Sequence, residues 1–190
     1  AFLAYDGHSG NNKHRVDFYS AIARLVFASS EDLNNCFDAF IAPKITFMGQ
    51  LSSQADITPP GVRMALVTAL RDLKGICISA YSRRTYVLFF ESVFPHCFPL
   101  LLRAAEGLYG DPLVITAVLK FLKEFVYNKG QRIFFEQSSA NGILLFREAS
   151  KIICAYGTNA LQATHVEGTD LYAAKYKMVR TMLDILTNAF

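Results

Sequence analysis

Charge is scarce in this chain: only 18% of its 190 residues are Asp, Glu, Lys or Arg, and no basic run exceeds the pair Arg83-Arg84. Nucleic-acid binders carry a denser basic stripe, so nucleic acid is not an expected partner. Long apolar runs are missing too. Charges interrupt each one before the roughly 20 residues that a spanning helix requires, and no secretory pattern is visible, so no membrane is expected. The four cysteines, Cys36, Cys77, Cys97 and Cys154, sit among apolar neighbours without a Cys-x-x-Cys or a disulfide-like framework. They are expected to be buried, reduced thiols of a nuclear or cytosolic protein. The sequence has no Asn-x-Ser/Thr acceptor, in line with that compartment.

What the chain has in quantity is apolar side chains, 52% of the total. With that content and length it can build a real core, and intrinsic disorder is excluded. The balance of 19 basic and 16 acidic residues leaves a net charge of only +3. The chain opens without methionine and stops inside an apolar helical pattern, Met178 to Phe190. The expectation is a piece of a longer protein.

Helical periodicity runs throughout. Phe18, Ile22 and Leu25 share a face of a first helix over His14 to Ser29. Ser30 stands where a cap would open a second helix, about Glu31 to Ser52, with Leu33, Phe37, Phe40, Ile41 and Met48 apolar. Pro43 is expected to kink it, because proline removes a backbone donor and clashes one turn back. A third helix, about Val62 to Ala80, places Val62, Leu66, Ala69, Leu73 and Ile76 on one side. A fourth, Arg83 to Phe94, stops at the Pro95 to Pro99 break, and helix resumes over Leu100 to Tyr109.

Gly110-Asp111-Pro112 reads as stop, cap and first-turn proline. The helix that follows carries two apolar stripes, Val114, Val118, Phe121 and Phe125 beside Ile115, Leu119, Leu122 and Val126, which predicts neighbours on more than one side. Asn128-Lys129-Gly130 closes it. Gly142 to Tyr156, with a stripe of Leu145, Ala149, Ile152 and Tyr156, and Asp170 to Leu186 supply the last two helices. Ile133 to Phe135 is ambiguous between strand and loop and too short to build a sheet. The fold class is all-α. Alternate helices begin near His14, Val62, Asp111 and Asp170, a spacing of about 50, somewhat longer than the roughly 40 to 47 residues of a HEAT or armadillo unit.

No group of side chains forms a reactive constellation. His96-Cys97 is the one adjacent His and Cys, but a catalytic Cys/His pair normally meets through the fold and not along one turn. His8, His14, His96 and His165 lack an i, i+4 partner for a metal. Gly7 to Lys13 lacks the spacing and the following Ser/Thr of a phosphate-binding loop. No cofactor is implied and no enzyme is expected. Arg147 and Lys151 lie together on the polar face of their helix, where an acidic partner would meet them; the plainer reading is a solvated face with Glu148 pairing to Lys151. Arg103 and Arg83-Arg84 carry the same pair of readings.

One stretch, Gln131 to Gly157 (QRIFFEQSSANGILLFREASKIICAYG), together with Arg15 to Leu25, Arg71 to Ile76 (RDLKGI) and Pro95 to Pro112, resembles successive segments of the exportin-7-like family of nuclear transport receptors, within the importin-beta (karyopherin) superfamily. The resemblance covers roughly nine tenths of the chain, leaving out the first dozen residues. The family carries proline where this chain has Ala140, which implies a looser entry turn here. The resemblance implies a HEAT-type solenoid of stacked antiparallel helix pairs, with 1–13 as a flexible lead-in and 14–190 as central repeats of a longer receptor. It further implies export of protein cargo with Ran-GTP through nuclear pores, nucleoporins as further partners, and residence in nucleus and cytoplasm. A helical-repeat scaffold for another assembly is the second reading, and a helical enzyme the third. The residues expected at a partner surface are Arg103, Arg147 and Lys151.

Overall fold

A computed structural model of the chain describes residues 14–28, 32–135, 139–162 and 169–188. The expected lead-in over 1–13 and the cap at Ser30 lie outside them. The described residues form eight α-helices and no strand: α1 (Arg15–Ala28), α2 (Leu33–Ser52), α3 (Pro60–Ser79), α4 (Arg83–Val93), α5 (Phe98–Gly107), α6 (Pro112–Val126), α7 (Asn141–Gln162) and α8 (Thr169–Asn188). α2 continues as one helix through Pro43. α4 and α5 are bent by 65° across the 94–97 break. No single helix among the described residues is long and apolar enough to cross a membrane.

Local chemistry explains the boundaries. Ser82 accepts from the Thr85 backbone N–H while Thr85 returns a bond to the Ser82 N–H, a reciprocal cap that starts α4. Asp111 accepts from the N–H groups of Leu113 (3.0 Å) and Val114 (3.2 Å), and Pro112 fills the first position of α6, where no donor is needed. Beyond α6 a short 3-10 turn, Lys129–Gln131, puts Gly130 at φ 62° and Gln131 at φ 59°. Glycine takes that left-handed geometry without a Cβ penalty. Ile133 to Phe135 has no regular structure, so that ambiguity resolves to loop. α7 begins with Leu144 N–H bonding to the Ala140 carbonyl at 2.9 Å and runs six residues past the expected Tyr156.

The helices fall into two layers. In one, α1 packs on α3, α3 on α6 and α6 on α8. Specific contacts advance in the same sense along each pair: Arg15 to Asp72 then Ser20 to Ser79, Arg63 to Asp111 then Cys77 to Glu124, Thr116 to Met178 then Lys123 to Asp184. These four helices therefore run parallel. α2, the bent α4–α5 unit and α7 form the second layer. The helix starts singled out by their spacing of about 50 thus belong to one layer, the arrangement expected when each helix returns through a partner on the other side.

α6 has α3 and α8 on its flanks and α5 and α7 beneath, as its two stripes require. Phe125 sits among Tyr86, Phe89, Phe90, Phe98 and Phe121 with ring centroids 5.5 to 6.0 Å away, in offset and edge arrangements that aromatic quadrupoles favour. The stripe on α7 is buried at all four positions. On α1 the sequence reading misplaces the packed face. Leu25 is 75% exposed and Phe18 and Ile22 are half-buried, while Tyr19, Ser20 and Ala23 are buried. The reason is proximity: α1 lies so close to α3 at Gly75 that small or flat side chains must line the contact, and larger ones are turned aside.

A Cβ at Gly75 would collide with the Val16 carbonyl oxygen and come within 3.0 Å of the Tyr19 Cβ. The first obstacle is backbone and cannot rotate away. Gly75→Ala is therefore expected to lower stability by about 1–3 kcal/mol, as overpacking does, despite the better helix propensity of alanine. A denaturant midpoint at or above that of the parent would refute this close approach.

Candidate interaction surface

The described residues hold two buried charged centres, neither of which was evident from the sequence. Asp72 of α3 is buried and accepts from Arg15 of α1 through both carboxylate oxygens, each at 2.7 Å, and from Lys44 of α2 at 2.8 Å. Lys44 Nζ also lies 4.4 Å from the Tyr19 ring centroid, a cation over an aromatic face. One carboxylate thus joins three helices.

The second centre is Arg132, only 1% exposed and yet outside any helix. Its Nε donates to the Tyr127 carbonyl (2.9 Å), Nη1 to those of Cys77 (2.8 Å) and Ala80 (3.0 Å), and Nη2 to the Glu124 carbonyl (2.5 Å) and Glu124 Oε1 (3.2 Å). The guanidinium lies 5.1 Å from the Tyr86 ring, whose hydroxyl donates to the Phe125 carbonyl at 2.7 Å. These carbonyls lie at the C-terminal ends of α3 and α6, where the last turn leaves acceptors short of intrahelical donors and carries the negative end of the helix dipole; that of Cys77 also accepts from the Ala80 N–H at 3.2 Å. Arg132 closes both ends with one side chain. Burial pushes the Tyr86 hydroxyl well above its ordinary pKa, so it remains a neutral donor.

The residues expected at a partner surface fall in two places. Arg147 Nε (2.8 Å) and Lys151 Nζ (2.9 Å) of α7 both donate to Glu148 Oε1. The bond from Lys151 is the main influence holding the Glu148 carboxyl below its usual range; burial opposes it and Arg147 adds to it. Both cations remain exposed at 57% and 50%, leaving unspent donors toward solvent. Arg103 of α5 stands apart from that group. Its Nη1 donates to the Ser52 carbonyl (2.8 Å) and Nη2 to those of Gln54 (2.8 Å) and Ala55 (3.1 Å), closing the end of α2. Arg83 donates to the Phe134 carbonyl at 3.1 Å and covers the Phe134 ring at 4.2 Å.

His96 is exposed and Cys97 buried, so the adjacent pair does not converge. Among the described residues no group of three or more His, Cys, Asp or Glu could hold a metal. Cys77 and Cys97 are buried thiols, but Cys36 and Cys154 are exposed, contrary to the expectation that each apolar neighbourhood meant burial. Apolar neighbours in sequence point to several sides of a helix, so they do not fix the direction of the residue between them. Burial pushes the Cys77 and Cys97 thiols up to about 12. A neutral thiol-specific reagent at pH 8 is thus expected to label two thiols in the folded chain and four after denaturation. Four rapid modifications without denaturant would contradict the burial.

Comparison with known proteins gives a consistent result. Exportin-7 of Dictyostelium discoideum is 34% identical over 182 residues, covering 94% of this chain and 18% of that protein. Ran-binding protein 17 of Mus musculus is 34% identical over 182 residues, covering 95% and 17%. Exportin-7-B of Xenopus laevis is 32% identical over 194 residues, covering 100% and 18%. No family model and no solved structure matches. The chain spans less than a fifth of the length of these curated relatives. Over nearly its whole length, the chain is an exportin-7-like segment, similar to a stretch shared by exportin-7 and Ran-binding protein 17.

Proposed function

We propose that this chain is a central section of a HEAT-type solenoid in a nuclear export receptor that binds protein cargo together with Ran-GTP, shuttles between nucleus and cytoplasm, and engages nucleoporins in the pore. The observation that carries this reading is the parallel layer of α1, α3, α6 and α8, each returning through a helix of the other layer. Stacked helix pairs of this kind contact only their neighbours and present an extended surface whose curvature changes by small adjustments at each interface. Binding and release then follow from conformational linkage between partners, with no bond chemistry. The names of the relatives, exportin and Ran-binding protein, support the same reading. A scaffold for another protein assembly is the alternative that the same architecture would serve.

Arg103, Arg147 and Lys151 are the residues proposed to meet an acidic partner in the intact receptor. Reversing charge at such a contact alters association more than folding. In the full-length receptor, Arg147→Glu with Lys151→Glu is expected to weaken Ran-dependent cargo capture about tenfold while leaving the melting temperature within a few degrees. Unchanged capture at unchanged stability would reduce these residues to a solvated face. Failure of the parent receptor to retain Ran-GTP at all would favour the scaffold reading.

A further inference from the structure

Within α3, α6 and the described side chains of α8, the acidic groups are already committed. Asp72 is held by Arg15 and Lys44, Glu124 by Arg132, and Asp184 by Lys123; Asp111 at the head of α6 is held by Arg63. The same three helices carry cations that pair with no described carboxylate: Arg71 and Lys74 on α3, Lys120 on α6 and Lys177 on α8. The helices are consecutive neighbours in one parallel layer. Thr116 bonding to Met178 Sδ at 3.5 Å brings the turn before Lys120 against the turn that holds Lys177. Lys120 and Lys177 are exposed, Arg71 and Lys74 half-buried. Lys120 stands close enough to the other three to feel each of them: after partial desolvation, the charges of Lys177, Lys74 and Arg71 lower its pKa. An uncompensated cluster of this kind raises the energy of the free protein and is relieved by an anion.

We propose that Arg71, Lys74, Lys120 and Lys177 form a docking row across α3, α6 and α8 for an acidic segment of a protein partner. The proposal rests on reading the chain as part of a partner-binding receptor, and it names a different face from Arg147 and Lys151. With helix axes about 8–10 Å apart, the row extends roughly 20 Å. Four cations over that length are sparse against duplex DNA, with one phosphate per about 1.7 Å of axis. They match carboxylates recurring at about 5–6 Å on an acidic helix. The docked segment brings the carboxylates that the three helices do not spare.

The test uses the chain itself and a fluorescent oligo-glutamate peptide of about a dozen residues, titrated by polarisation at low salt. Lys74→Glu with Lys120→Glu and Lys177→Glu is expected to weaken binding at least about tenfold, and Arg147→Glu with Lys151→Glu to change it less than about twofold. Circular dichroism should show both variants folded. If the triple variant unfolds, Lys120→Gln with Lys177→Gln, both at exposed positions, must still weaken binding severalfold. No binding by the parent chain, equal losses in both sets, or an RNA oligomer of equal length held more tightly through the same lysines would overturn the proposal. Ran and cargo do not enter the assay, so a failure of the receptor reading and a failure of this row are told apart.

Discussion

Arg132→Ala is expected to lower stability by about 3–5 kcal/mol, the range for removing one member of a buried charged centre. For a chain of this size that corresponds to a fall of about 6–20 °C in melting temperature. The guanidinium is the shared donor for carbonyls at the ends of α3 and α6 and the partner of Glu124. With it gone, the Tyr127 and Ala80 carbonyls lose the donor described for them and those of Cys77 and Glu124 keep only the Ala80 N–H and the Cys77 thiol, and unsatisfied buried acceptors cost more than an average hydrogen bond contributes. Arg132→Lys should recover little, because an ammonium cannot reproduce the planar fork that serves two helix ends at once. Arg24→Ala, on the exposed side of α1, serves as control and should stay within about 0.5 kcal/mol. An Arg132 variant as stable as this control would show that the ends of α3 and α6 are capped by other means.

The second large effect is expected at Asp72. Removing its carboxylate leaves Arg15 and Lys44 facing each other across α3 without their shared acceptor. Asp72→Ala should cost about 2–4 kcal/mol, somewhat below the value for a fully buried pair, because both cations have long stems that can carry the charge toward water. Lys44→Met in the same background should restore part of the loss by removing one of the stranded charges. That non-additivity, measured as a double-mutant cycle from chemical denaturation, is the signature of a shared contact. Strict additivity would mean that Lys44 and Asp72 do not interact in solution.

Both residues lie in stretches whose sequence resembles the exportin-7-like family, yet neither had a visible role there. Arg71 to Ile76 reads as an ordinary helical turn. Folded, it contributes the shared carboxylate at Asp72, the close approach at Gly75 and two members of the basic row, Arg71 and Lys74. Likewise Arg132 has no role in the sequence between the closing Asn128-Lys129-Gly130 and the ambiguous Ile133 to Phe135, although it follows the two left-handed residues Gly130 and Gln131 that turn it back beneath α3 and α6. A signal existed in principle: a lone arginine between a glycine turn and an apolar triplet has little reason to be solvated. Periodicity has no means of registering it, because the residue is not in a helix.

What the sequence by itself determined is whatever a helix reports about its own surroundings. The paired stripes of α6 required neighbours on several sides, the stripe of α7 named its buried residues, and Asp111-Pro112 set the start of α6, since side-chain spacing and caps act within a few residues. Only the tertiary structure decided which helices lie side by side, and every finding that depends on this was hidden. The Arg15–Asp72, Arg63–Asp111 and Lys123–Asp184 links join residues 57, 48 and 61 positions apart, and no local pattern encodes such separations. The small-residue face of α1 was misread for the same reason, because the constraint on it is a glycine of α3. The lysines of α3, α6 and α8 become one row only once the layer has formed, since a charge cluster belongs to the space between helices and not to any one of them.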